Sequence, residues 1–269
     1  MNTPCFDTVI LSDLHLGSEV SRAQAALKML KETSFRRLIL LGDIFCDLNF
    51  RRLKKEHWQF LGYIRKLSNP KRGIEVVWVE GNHDQGLSMV MSHLVGVRVY
   101  QEYAWRYAGV KHLAIHGHQF DRFVLGSMPL SKVLTWAYLH VQKLDFGNKR
   151  LARCFDRLDT YWLRLSGKVA SGALHYAGTN DAGRVFCGHT HEAMQLERNE
   201  IAYFNTGSWT QWPATYITIG EQGVQIHEYA ERIDDCDPGE ERSPADSALI
   251  DFAMSAGLPA DFDYEGVPG

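Results

Sequence analysis

Proline is scarce in this chain and cysteine scarcer, with eight and five residues among 269. The cysteines (Cys5, Cys46, Cys154, Cys187 and Cys236) are odd in number, widely scattered, and never stand as a Cys-x-x-Cys pair. That pattern excludes a zinc knuckle and a disulfide framework, and a reducing, cytoplasmic setting is expected. Cys46 and Cys187 are expected as buried structural thiols. No apolar run approaches the length that spans a bilayer. The opening "MNTPCFDTVILSDLHLG" lacks the basic-then-apolar order of a secretory leader. Charge of one sign is also missing: the formal net charge is −3, which gives no general argument for nucleic-acid binding. Internal repeats and low-complexity tracts are absent too.

What is present is ordinary for a soluble globular protein, 45% hydrophobic and 23% charged. The length suffices for one large α/β domain carrying an insertion. Short apolar, β-branched runs recur at 7–17, 37–47, 74–84, 112–121 and 184–191, most of them ending in Asp, His, Asn or Gly. Helix-like segments fall at 20–32 and 53–67, so the expected class is α/β. Open α/β sheets place their sites past the carboxyl ends of strands, where these polar residues collect.

Three short strands follow at 201–207, 214–220 and 223–230, and they are expected as an antiparallel meander completing a second sheet. The segment 122–178 reads differently. Leu130, Leu134, Ala137, Val141 and Leu144 form one helical stripe, and Leu151, Phe155, Leu158, Trp162 and Leu165 form another. With "DFGN" between them, they predict an inserted αα-hairpin rich in Lys and Arg. A solvated helical face explains that charge; a lid beside a polar cleft explains it as well. The domain is expected over 1–232, with 233–269 as an acidic surface tail.

Chemistry concentrates in five motifs: Asp13-Leu-His15, Gly42-Asp43, Gly81-Asn82-His83-Asp84, His116-Gly-His118 and His189-Thr-His191. Singly, Asp43 could cap a helix and Asn82 could turn the chain. Five coincident strand-end motifs argue instead for one site. On an extended segment, residues i and i+2 point the same way, so each His-x-His or Asp-x-His pair aims two donors together. The mixed nitrogen and oxygen donors suit Mn²⁺, Fe or Zn²⁺. Seven donors are too many for one such ion and fit two ions sharing a carboxylate, the arrangement that clamps both oxygens of a phosphoryl displacement.

The ordered set "SDLHLG", "GDIFCD", "GNHD", "HGH" and "GHTH" resembles the calcineurin-like metallophosphoesterase superfamily over residues 7–230. The resemblance implies a four-layer αββα sandwich of two mixed sheets, and two divalent metals, most simply Mn²⁺, with Fe or Zn²⁺ as alternatives. Asp13, His15, Asp43 and His191 would hold one; Asp43, Asn82, His116 and His189 the other. A metal-bridging hydroxide would attack phosphorus. His83 would steady the transition state or protonate the leaving oxygen, with Asp84 orienting it.

Within that superfamily, "HGHQFD", the insertion and "YFNTGSW" look like the UDP-2,3-diacylglucosamine pyrophosphatase group of lipid A synthesis. His118 stands where that group often has Asp, and Ser208 where it often has an acidic residue. The likeness implies a nucleotide-lipid or other phosphorylated small-molecule substrate, contacted by His118, Asp121, Arg153 and Arg157. It also implies a cytoplasmic enzyme touching the inner membrane through its insertion, with no nucleic-acid partner. The alternative is a broad or cyclic-nucleotide phosphodiesterase, or a nuclease, of the same superfamily.

Overall fold

A computed structural model describes residues 5–47, 49–86, 91–93, 95–122 and 166–229. The first three apolar runs become parallel neighbours: β1 (Cys5–Leu11), β2 (Ser34–Leu41) and β3 (Glu75–Val79). Alternation along them serves two cores. Val9, Leu11, Leu38 and Leu40 face outward onto helices, while Ile10, Ile39 and Leu41 face the second sheet. Helix α1 (Ala23–Glu32) is built from strong helix formers and buries Ala23, Ala26, Leu27 and Leu30, the 3-and-4 spacing of one face. Helix α2 (Lys55–Leu67) buries His57, Phe60, Leu61, Ile64 and Leu67 in the same rhythm.

The second sheet contains β5 (Glu102–Tyr107), β6 (Val110–Ile115), β7 (Arg184–Cys187), β9 (Ile201–Thr206) and β8 (Ala193–Arg198), in that spatial order. β6, β7 and β9 run parallel; β5 and β8 close the edges antiparallel. A short helix α3 (His118–Arg122) leaves β6. A helix over 166–179, α4, packs Ala170, Ala173, Leu174 and Ala177 onto Leu113, Ile115, Val185 and Tyr203. The layers are thus α, β, β and α, as the resemblance implies.

The last strands depart from expectation. β9 stays in the second sheet, but β10 (Ala214–Gly220) and β11 (Gly223–Tyr229) return to the first, beside β1 and beyond it. Residues 207–213 span the gap, and β10 covers the backbone edge of β1 while Ile217 and Ile219 fill the core between the sheets. β4 (Val99–Tyr100), β5 and β8 were not legible as strands; β8 is almost wholly exposed and its apolar alternation is confined to Met194 and Leu196. Cys46 and Cys187 are buried, as expected.

Of the segment 122–178, residues 166–178 belong to α4. Residues 123–165, with both apolar stripes and with Arg153 and Arg157, lie outside the described residues, as does the tail 233–269. Among the described residues, no helix is long and apolar enough to cross a membrane.

Candidate metal centre

The five motifs meet at one end of the sandwich. Asp13 and His15 follow β1, Asp43 follows β2, Asn82 and His83 follow β3, His116 follows β6, and His189 and His191 follow β7. Backbone bonds lace these loops together: Asp13 N–H to the Gly42 carbonyl (3.1 Å), His15 N–H to that of Asp43 (3.0 Å), and Gly188 N–H to that of His116 (3.0 Å). Asp13, His15, Asp43, His189 and His191 all adopt φ between 47° and 69°. L-residues rarely take that conformation, which costs about 1–2 kcal/mol each. Five such residues on the motif loops mark a site whose geometry outranks local comfort. The extended-segment reading of His189-Thr-His191 is corrected here: β7 ends at Cys187, and the two imidazoles sit on a tight left-handed turn that sends them apart.

The donors form two groups, Asp13 with His15 and His191, and Asp43 with His116 and His189. In the first, His191 Nε2 lies 3.2 Å from Asp13 Oδ1 and 3.2 Å from His15 Nε2. In the second, His116 Nε2 lies 3.2 Å from Asp43 Oδ2. His116 Nδ1 donates to the Leu41 carbonyl at 2.9 Å. In the neutral ring the lone pair is then on Nε2, aimed at a carboxylate oxygen, and two acceptors so placed call for a proton or a cation between them. Asp13 Oδ1, Asn82 Oδ1 and His116 Nε2 are buried with no hydrogen-bond donor or acceptor partner. Orphaned buried polar atoms are costly; Asp13 and His116 belong to the donor groups, and Asn82 stands on the loop after β3 beside His83. The residues fit a pair of divalent cations.

The charges agree. Burial acts to raise the Asp13 and Asp43 pKa values, yet His191 facing the first and His116 facing the second hold both below the ordinary carboxylate range. Burial acts to lower the His116 pKa, but the charge of Asp43 beside it raises it to about 10, so a proton is drawn to the place between them that a cation would take. His15 moves the other way, down to about 3, through burial and then the charge of His191. Two buried, ionised carboxylates thus draw positive charge into the pocket.

Other residues hold the loops. Ser12 donates to Asp13 Oδ2 and meets the Thr206 hydroxyl. Asn205 Nδ2 donates to the Gly188 carbonyl at 2.7 Å and to Thr190 Oγ1 at 3.1 Å, pinning the turn that carries both imidazoles. Asp84 was expected to orient His83. Instead its two oxygens accept from the backbone N–H of Ile44 (3.0 Å) and Gly81 (2.6 Å), joining the second and third motif loops. His83 Nδ1 donates to the Cys46 carbonyl at 2.7 Å, so a backbone group supplies that orientation. No side-chain signal could reveal this, because any residue at 46 carries a carbonyl. Ser12 and Asn205 were legible only as neighbours of motifs.

His118 accepts from Gln85 Nε2 at 3.1 Å, and its ring centre lies 5.5 Å from that of His116. Asp121 Oδ2 lies 3.3 Å from His189 Nε2. Both therefore border the second donor group. Asp47 pairs with Arg52 at 2.7 Å and Lys54 with Glu19, which places these charges in local ion pairs.

No curated protein matches the chain in sequence. Among solved structures, the chain is similar to a novel archaeal phosphodiesterase (12% identity, 82% of this chain and 98% of that one, TM-score 0.46). It is also similar to Yfce, a phosphoesterase from E. coli (18%, 83% and 99%, TM-score 0.42). A third is vacuolar protein sorting 29 from Cryptosporidium parvum (15%, 86% and 95%, TM-score 0.48). The calcineurin-like phosphoesterase superfamily domain matches residues 7–222. With that match over most of its length and a two-group donor site at the strand ends, the chain belongs to the calcineurin-like phosphoesterase superfamily and is a hydrolase of phosphoester bonds.

Proposed function

We propose that this hydrolase cleaves a phosphodiester or diphosphate bond with two divalent cations, and that its substrate is a nucleotide-linked lipid of the UDP-2,3-diacylglucosamine kind. The observation that carries the two-cation reading is the gathering of buried ligand atoms into two separate groups, Asp13 with His15 and His191 and Asp43 with His116 and His189. Asp13, His15, Asp43 and His191 would hold one cation, and Asp43, Asn82, His116 and His189 the other. Mn²⁺ is the proposed ion, and the donor set also suits Fe and Zn²⁺. Bound there, such ions stabilise charge on phosphate oxygens. His83, held through Nδ1 by the Cys46 carbonyl, turns its other nitrogen to proton exchange with the leaving oxygen.

The lipid substrate is supported by "HGHQFD", "YFNTGSW" and the basic, aromatic-bearing stretch that contains Arg153 and Arg157. That stretch would meet the diphosphate or an anionic bilayer surface. The test is a hydrolysis screen with Mn²⁺ across UDP-2,3-diacylglucosamine, cyclic nucleotides and bis-(p-nitrophenyl) phosphate. Preferred turnover of the lipid, lost selectively in Arg153→Glu/Arg157→Glu, supports the reading. Preferred turnover of cyclic nucleotides replaces the lipid with a cyclic-nucleotide substrate. Inactivity on all three removes the proposal.

A further inference from the structure

Asp121 stands apart from the seven donors, on α3, yet its Oδ2 lies 3.3 Å from His189 Nε2. A carboxylate at neutral pH only accepts, so the contact requires the proton on Nε2. A neutral imidazole carries one proton, and His189 then offers its lone pair at Nδ1. His116 uses the opposite arrangement, with Nδ1 bonded to the Leu41 carbonyl and Nε2 left as donor atom. The two histidines of the second group thus present different ring nitrogens, each fixed by a different partner.

Nothing else among the described residues competes for the Asp121 carboxylate, since its Oδ1 is buried with no hydrogen-bond partner. Its position is set by packing. Phe120 next to it lies against Tyr176 of α4, with ring centres 5.9 Å apart. Gly172 of α4 leaves room for that ring: a Cβ there would come within 2.9 Å of Phe120 Cβ. Phe120 N–H also bonds back to the Gly117 carbonyl at 3.0 Å. The turn between His116 and Asp121 is therefore anchored on the outer helix, and the carboxylate is aimed at the imidazole.

We infer that Asp121 is a positioning residue for the second cation, holding His189 as the Nε2–H tautomer and raising the basicity of Nδ1, and not a group that contacts substrate. The inference rests on the two-cation reading proposed above. A carboxylate behind a ligating histidine typically contributes about 10–100-fold to metal affinity.

The test titrates Mn²⁺ alone into the full chain by calorimetry. Wild type takes up two cations; Asp121→Ala weakens one of them about 10–100-fold and leaves the other unchanged. Asp121→Asn, which keeps the shape and can still accept the Nε2–H, falls between and serves as the folding control by circular dichroism. In the Zn²⁺-loaded protein, ¹⁵N spectra of histidine show His189 with a proton on Nε2 and the metal shift on Nδ1. Two cations with unchanged affinities in both variants, or a metal shift on Nε2, overturns the inference alone. A raised KM with intact cation binding would return Asp121 to the substrate. Uptake of fewer than two cations by wild type overturns the two-cation reading and this inference with it.

Discussion

Asp13 Oδ2 accepts the backbone N–H of His189 at 3.1 Å, so a carboxylate after the first sheet's β1 holds the chain that carries a donor of the second group. The other oxygen, Oδ1, faces His191 of the first group at 3.2 Å. One side chain therefore serves both halves of the centre, by two different oxygens. Ser12 completes the division by donating to Oδ2, which leaves Oδ1 as the atom turned to a cation.

Loss of Asp13 should consequently reach beyond its own group. Asp13→Ala is expected to weaken both cations, while His191→Ala weakens the first only. Metal content by mass spectrometry after dialysis checks this. An Asp13→Ala protein that keeps the second cation at wild-type affinity would show that the backbone bond to His189 is dispensable.

Gly81 carries the same logic in steric form. A Cβ at this position would fall on the backbone nitrogen and carboxylate of Asp43, which cannot move without disturbing the His83 N–H bonded to Asp43 Oδ1 at 2.9 Å. Gly81→Ala should cost about 1–3 kcal/mol, the range for overpacking, read as a lower urea midpoint. It should also lower metal uptake. Stability and uptake both equal to wild type would mean that the loop yields freely.

Much of this was legible in the sequence, for identifiable reasons. Asp43 and Asn82 follow a glycine at the end of an apolar run, and both lie where parallel strands end at the site. The core strands could be found because Ile10, Ile39 and their neighbours are buried on both faces of the first sheet. β8 could not, because Met194 and Leu196 alone alternate on this exposed edge strand, too short a pattern to mark one. Nor could the return of β10 to the first sheet, since its alternation would fit either sheet equally. Within the site, donor identity was legible but donor direction was not. The left-handed turn at His189 and His191 and the ring nitrogen each histidine offers depend on partners distant in sequence.

His83 should separate proton transfer from electrostatics. His83→Ala is expected to retain metal and to lose kcat by about 10²–10⁴-fold on a substrate with a poor leaving group. On a p-nitrophenyl ester, whose leaving oxygen needs little protonation, the deficit should shrink. Equal deficits on both would assign His83 to charge stabilisation. Because Nδ1 is tied to a backbone carbonyl, His83→Gln should not restore the activity, as its amide cannot deliver a proton.

The pH dependence of stability should be traceable to His112, which lies within β6 four residues before His116 and belongs to neither donor group. Its ring stacks on Phe186, with centres 5.7 Å apart and planes 4° from parallel, and lies 5.1 Å from Trp105. Arg184 Nη1 donates to Nε2 at 3.3 Å, so Nδ1 carries the proton and donates to the Val110 carbonyl at 3.0 Å. Burial pushes the His112 pKa down to about 4; the Val110 carbonyl opposes this, and the charge of Arg184 adds to it, with Asp7 and Arg37 as the further charges in reach. In the unfolded chain the group titrates near its ordinary value of about 6.5. Between those values the unfolded chain binds a proton that the fold refuses, so stability falls as pH drops from about 6.5 toward about 4 and is fully present above that window. His112→Gln keeps an acceptor for Arg184 and removes the titration. Urea midpoints at pH 7 and pH 5 should therefore fall further in wild type than in the variant. Carboxylates that titrate in both proteins cancel in this comparison. An equal drop in the two would show that His112 charges inside the fold as readily as outside it.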